Sequence, residues 1–273
     1  MLGERQEQGK RRGAMAATTG PKSQAEANTG EGMTAEGSWD IEVRGLWKSF
    51  GALSVLRDLN LRVRAGERLV ILGPNGSGKT TLIRVLATLL RPSQGWVRVL
   101  GFDAVRQANE VRRHVGVLCH QTFLYGELTA WENLQFYGRM YGLTDPGGRA
   151  MRLLNMLGLE THAKTRADTL SRGMQQRLAL ARAILHEPLV LLLDEPDAGL
   201  DQRWMQMVHD LVAEGAAQGR TTLLTTHSLE RSLELGDRVV VLNGGRITFS
   251  AAREELDVAR LREACDDHTR PAR

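Results

Sequence analysis

Residues Gly73 to Thr80 read GPNGSGKT, set between a short apolar run, Arg68 to Leu72, and the apolar-periodic stretch TLIRVLATLL. The spacing G-x-x-x-x-G-K-[ST] constrains the fold more than any other feature of the chain. A buried strand must feed a glycine loop whose backbone N–H groups turn inward. That loop must in turn open a helix whose positive end faces an anion. Gly76 and Gly78 permit the turn, Lys79 has the reach for β- and γ-phosphates, and the Thr80 hydroxyl suits Mg²⁺. Four fixed positions coincide by chance in about one per cent of chains this long. The stretch therefore predicts a nucleoside triphosphate site.

A second apolar run, LVLLLDEP, from Leu189 to Pro196, is bounded by Pro188 and delivers Asp194 and Glu195 at its end. Leu189 to Leu193 fits a buried strand. Beside a phosphate loop, Asp194 is placed to hold Mg²⁺ through water, and Glu195 is then free to orient or deprotonate an attacking water. A third run, TTLLTTH, brings His227 to a strand end, where it is placed to sense the γ-phosphate.

The chain has 273 residues, enough for one large domain or a domain with an inserted lobe, and 42% of them are hydrophobic. No stretch reaches the roughly 20 apolar residues of a membrane helix, so no direct span is expected. Cys119 and Cys265 lie far apart in no metal-like spacing, which predicts a reducing compartment. The net charge of +4 arises from 36 basic and 32 acidic residues, well mixed along the chain. That balance reads as a solvated surface rather than a nucleic-acid footprint. Residues 1–39 are rich in Gly, Ala, Glu, Gln and Thr, lack the apolar core of a signal peptide, and read as a disordered tail. From Asp40, IEVRGLWKSF and LRDLNLRVRAGERLVILG alternate as half-buried strands do.

Between the phosphate loop and Asp194, a lobe at about 122–187 is mostly helical. One helix opens on a capping box, Thr129 with Glu132, and carries Trp131, Leu134, Tyr137 and Tyr141 at helical spacing. A second runs through RAMRLLNMLGL. A third starts at Ser171, presents Met174, Leu178, Ala181 and Leu185 on one face, and stops before Pro188. VVVLNGGRI reads as a closing hairpin, and residues 251–273 as a charged, helical tail.

The ordered set GPNGSGKT, Gln121, LSRGMQQR, LLLDEP, AGLD and TTHS resembles the nucleotide-binding domain of ATP-binding cassette (ABC) transporters, over about Ile41 to Ser250. The resemblance implies an α/β P-loop NTPase (RecA-like) core with a small antiparallel β subdomain and an inserted helical signature subdomain, spanning 40–250. It implies ATP and Mg²⁺ as cofactors and a homodimer that clamps two ATPs head to tail. It also implies a separately encoded integral-membrane permease as partner, with the chain peripheral at the cytoplasmic face of the cell membrane. By the same resemblance, ATP would be held by Gly73, Pro74, Asn75, Gly76, Ser77, Gly78, Lys79, Thr80 and Thr81, with Phe50 stacking on adenine. Ser171 and Gly173 of the signature would meet the partner's γ-phosphate, and Asp201 would act across the dimer. Gln121 becomes the lid-loop glutamine contacting Mg²⁺ and water, Glu195 the general base and His227 the switch histidine. Arg172 and Met174 depart from the family's LSGGQ signature. Arg172 is expected to be tolerated at a position indifferent to its side chain.

Within the family, VGVLCHQTFLYGELTAWENLQFYGRMYGL looks like the ATP-binding subunit of the haem exporter of bacterial cytochrome c maturation, and this is the primary expectation. The alternative is an ATPase of the branch exporting drugs, antibiotics or polysaccharides; a soluble, non-transport ABC ATPase ranks below both. All three tyrosines, Tyr125, Tyr137 and Tyr141, fall in the lobe with Phe123 and Phe136. An aromatic groove there suits a short helix of a membrane subunit, with Phe123 and Tyr125 expected to be exposed.

Overall fold

The computed structural model describes residues 38–196 and 202–266. Its centre is a six-stranded sheet in the order β10-β9-β3-β8-β7-β6. The members are β3 (Arg68–Leu72), β6 (Val115–Leu118), β7 (Val190–Asp194), β8 (Thr221–Thr226), β9 (Arg238–Asn243) and β10 (Arg246–Ala252). All neighbours run parallel except the hairpin β9–β10. Parallel strands covered on both faces read as unbroken apolar runs, which is why LVIL, VLLL and VVVL carry no polar alternation.

Within those runs the pleat still sorts side chains into two cores. Leu69, Ile71, Val190, Leu192, Leu223, Val240 and Leu242 face one way, toward α1 (Lys79–Leu86). Val70, Leu72, Leu191, Leu193, Leu224, Val239 and Val241 face the other, toward α5 (Arg172–Ile184) and α6 (Gln202–Ala217). The first core is closed by a separate antiparallel sheet, β2-β1-β4-β5, formed by β1 (Trp39–Phe50), β2 (Leu53–Arg64), β4 (Gln94–Val99) and β5 (Phe102–Asp103).

A short helix, α2 (Ala108–His114), leads into β6, and the lobe follows. Its helices are α3 (Ala130–Met140), α4 (Pro146–Met156) and the N-terminal half of α5. Thr129 and Glu132 form a reciprocal capping box on α3. α4 begins ahead of the RAMRLL run, because Asp145 caps Gly148 N and Pro146 occupies the first turn, where its missing N–H costs nothing. The C-terminal half of α5 leaves the lobe: Leu178 to Leu185 are buried, with the helix packed along β6.

Three boundaries differ from the sequence expectation. Trp39 is in β1, paired with Arg64, with the guanidiniums of Arg62 and Arg64 5.5 and 5.7 Å from its ring centre. Leu189 precedes β7 and is 52% exposed, so the buried run starts at Val190. The stretch after 250 is no free tail as far as Asp266. β10 continues to Ala252, and α7 (Leu229–Leu235) receives α8 (Val258–Asp266), which buries Leu261 and Ala264. Arg253 fixes the entry, donating Nε to Leu233 O at 2.6 Å and N to Asp237 O at 2.8 Å. A few apolar residues at helical spacing were enough to dock a segment rich in charged residues.

Candidate functional site

The parallel strands deliver their next residues to one edge of the sheet, the C-terminal edge where open α/β folds bind ligands. β3 is followed by the 73–78 loop, β7 by Glu195, β8 by His227, and β6 by Cys119 and, two residues on, Gln121. At Gly73 the chain passes so close to β9 that a Cβ would lie 2.2 Å from Leu242 O. Gly78, the N-cap of α1, has φ 110° and is covered by Leu56 of β2. The antiparallel sheet thus presses on the loop from above, and Gly245 N ties β10 to it through Ser77 O at 3.1 Å. Phe50 ends β1 beside this cover, 49% exposed, with Lys48 Nζ 4.9 Å from its ring centre.

Lys79 is 4% exposed, and a buried ammonium requires partners. Its Nζ donates to Gly73 O at 2.7 Å and Pro74 O at 3.0 Å, and pairs with Glu195 Oε1 at 3.1 Å. The lysine therefore arches back over its own loop. Pro74, Asn75 and Gly76 are exposed on the rim; Thr80 and Thr81 are half-buried. Ser77 Oγ is buried without a hydrogen-bond partner among the described residues.

Asp194 is 2% exposed. Its Oδ1 accepts from Thr80 Oγ1 at 3.2 Å and from Thr225 Oγ1 at 2.9 Å, while Oδ2 has no partner among the described residues. An anionic oxygen left bare in the interior is costly unless a cation meets it, and the neighbouring Thr80 hydroxyl is a hard oxygen ligand. This donor pair fits Mg²⁺. Glu195 holds φ 47°, a left-handed conformation that costs a non-glycine residue about 1–2 kcal/mol. Its amide donates to Thr225 Oγ1 at 3.0 Å and Thr225 O at 3.2 Å, which hold the turn.

Thr225 thus places both carboxylates, and the sequence reading did not single it out. Its signal was there: threonines interrupt the otherwise aliphatic strand TTLLTT.

The remaining candidates stand around this centre. Gln121 and His227 are exposed. Cys119 donates its thiol to Gln121 O at 3.2 Å, and burial, with Asp194 nearby, pushes that thiol above its ordinary range. Ser171 caps α5, its Oγ accepting from Met174 N at 3.3 Å, and Gly173 follows in the first turn. Arg172 is exposed and lines a small cleft with His120, Gln176, Asp194 and Glu195 of its own chain. Asp201 lies outside the described residues. Phe123 departs from expectation: it is half-buried beneath Arg182, whereas Tyr125, 48% exposed, and Phe136 form an exposed edge-to-face pair at 5.0 Å.

A family model described as "ABC transporter" matches residues 56–198. The chain is 38% identical over 207 residues to the ABC transporter ATP-binding protein NatA of Bacillus subtilis (strain 168), covering 75% of this chain and 84% of that one. It is 42% identical over 218 residues to the daunorubicin resistance ATP-binding protein DrrA3 of Streptomyces coeruleorubidus, covering 79% and 69%. Among solved structures, it is similar to the dimeric, post-hydrolysis ATP-binding cassette MJ0796 bound to ADP and Pi, with a TM-score of 0.72 and 27% identity over 78% of this chain and 98% of that one.

Proposed function

The chain belongs to the ABC transporter family as an ATP-binding subunit, an ATPase coupled to transport, and from that premise we propose that it powers drug, antibiotic or polysaccharide efflux through a separately encoded membrane permease. The kinship with a daunorubicin resistance protein supports this cargo class over haem. Haem export rests on the stretch from Val115 to Leu143 and on the LSRGM signature, which efflux ATPases share in the form S-x-G-M. Among the described residues no helix is long and apolar enough to cross a membrane. As the ATPase of a transporter whose permease is a separate chain, it works in this reading at the cytoplasmic face, under the permease.

The observation that carries the chemistry is the meeting of Lys79, Asp194 and Glu195 at one strand edge, with Lys79 to Glu195 at 3.1 Å. ATP phosphates enter the 73–80 loop against backbone N–H groups, with Thr81 in the turn that follows, and draw Lys79 Nζ from Glu195 onto the β- and γ-oxygens. Phe50 stacks on the adenine. Thr80 Oγ1 and Asp194 Oδ2 are the oxygens that would hold Mg²⁺, which when bound offsets the phosphate charge. Gln121 orients the attacking water from the lid loop. Once released from Lys79, Glu195 takes a proton from that water, a step worth about 10²–10⁴-fold in rate. His227 contacts the γ-phosphate from the end of β8.

A second copy completes the site. Ser171 Oγ uses a lone pair on Met174 N, so its O–H remains to donate to a γ-phosphate held by the partner. Gly173 allows close backbone approach there, and Asp201 acts across the same interface. The exposed Tyr125–Phe136 pair receives the permease's short helix.

Glu195→Gln tests the reading. The variant should retain ATP binding, lose hydrolysis and accumulate as an ATP-bound dimer. Capturing it from membranes with ATP and identifying the co-purifying polypeptides separates the cargo classes. A lone efflux-type permease supports the proposal. A small permease accompanied by cytochrome c assembly proteins would move the function to haem export. ATP-dependent dimers without a membrane partner would point to a soluble ATPase.

A further inference from the structure

Arg182 lies ten residues beyond the start of α5, far along the helix from Ser171, and is 8% exposed. Among the described residues it has no carboxylate partner, and its Nε has no hydrogen-bond partner at all. Its Nη2 donates to Val117 O at 2.8 Å. The guanidinium sits 5.3 Å from the ring centre of Phe123 and 5.5 Å from that of Tyr137. Burial pulls its pKa down, so the charge is kept at a cost. If filling space were the only task, a methionine would serve at lower desolvation cost. A cation is needed where a single side chain must grip both a carbonyl and two π faces.

Those grips fall on both sides of Gln121. Val117 belongs to β6, four residues before it; Phe123 lies two residues after it. Phe123 has φ 55°, and its carbonyl accepts from Tyr137 Oη. Further along, Asn133 of α3 closes the loop: its Oδ1 accepts from Tyr125 N at 2.8 Å, and its Nδ2 donates to Tyr125 O at 2.9 Å. α3 and α5 together thus hold a segment with Gln121 at its exposed crest.

We propose that Arg182 is a positioning residue: it brackets the segment from Val117 to Phe123 and fixes Gln121 relative to β6 and the C-terminal half of α5. This rests on the role given to Gln121 above.

The buried thiol of Cys119, bonded to Gln121 O, reports loop position directly. In a Cys265→Ser background it is the single thiol, so its labelling by a disulfide reagent measures opening of this segment. Arg182→Lys keeps the charge and loses the planar face; Phe123→Leu keeps the arginine and removes the ring. Each should label about tenfold faster and lose about 100-fold in kcat, with affinity for a fluorescent ATP analogue within about twofold of the parent. The double variant should be no worse than either single one. If Arg182→Lys does not fold, Phe123→Leu decides. Parental labelling rates overturn the proposal. So do fast labelling with intact kcat when Gln121→Ala is inactive, and equal losses of kcat and nucleotide affinity, which mark general damage. If Gln121→Ala retains full kcat, the role of Gln121 fails instead, and the labelling rate alone settles the bracket, fast supporting it and parental refuting it.

Discussion

Thr225→Val removes one hydroxyl from the interior of β8 while nearly preserving shape. Two contacts disappear: the donation to Asp194 Oδ1 at 2.9 Å and the acceptance from Glu195 N at 3.0 Å. Glu195 N keeps Thr225 O at 3.2 Å, so its amide is not orphaned. The loss is then mainly one hydrogen bond to a charged acceptor, about 1.5–3 kcal/mol. Asp194 would be left with Thr80 Oγ1 alone, at 3.2 Å, and its carboxylate is free to turn. Removing such a supporting partner typically weakens metal binding about 10–100-fold. Urea unfolding should show the stability loss, and ATPase titrations against Mg²⁺ should show half-saturation at least about tenfold higher. Thr225→Ser, which restores the hydroxyl, should return Mg²⁺ half-saturation to the parent value. Unchanged Mg²⁺ dependence and kcat in Thr225→Val would refute the assignment of Asp194 as an Mg²⁺ ligand steadied by Thr225.

Gly73→Ala would set a Cβ 2.2 Å from Leu242 O, a backbone atom unable to yield alone. It should cost more than about 3 kcal/mol, visible as a shifted denaturant midpoint; an unshifted midpoint would show that the strands part easily. Arg172→Gly should change the ATPase rate less than about tenfold, or about 1.4 kcal/mol, because the arginine is exposed at the start of α5; a larger fall would give its guanidinium a part in the reaction. His186, stacked on Tyr141 at 3.8 Å, has its pKa lowered by burial, and by Arg182 and His114, to about 4. The folded protein resists protonation here that the unfolded chain accepts near pH 6.5. Stability is therefore full above about pH 6.5 and falls as pH drops toward 4, by at most about 3 kcal/mol. His186→Phe should flatten that part of the unfolding profile, and an unchanged slope would remove His186 as its source.

The sequence by itself determined the phosphate loop, the carboxylates at the end of β7 and the three helices of the lobe. Each is a local signal: glycines at fixed offsets, an apolar run ending in acids, a capping box opening a 3.6-residue period. It also sufficed for family membership, because ordered motifs survive where the residues between them change. Which branch of the family is not legible in the same way: one aromatic stretch suggests haem, whereas the similar proteins include a daunorubicin resistance ATP-binding protein.

Other features existed only once distant segments met. Thr225 lies 31 residues from the Asp194 oxygen it bonds, and Arg182 lies 59 residues from the Phe123 ring it covers. Phe123 was expected at the surface, since a loop aromatic carries no sign of the cation that will cover it. The charged stretch past 250 reads as a helical tail; the helix is there, but its docking is not legible, because composition counts every residue and docking needs only a few, such as Leu261 and Ala264. A motif records what a backbone must do locally. A buried partner is chosen by whatever the sheet order brings alongside, and that order is written in no single segment.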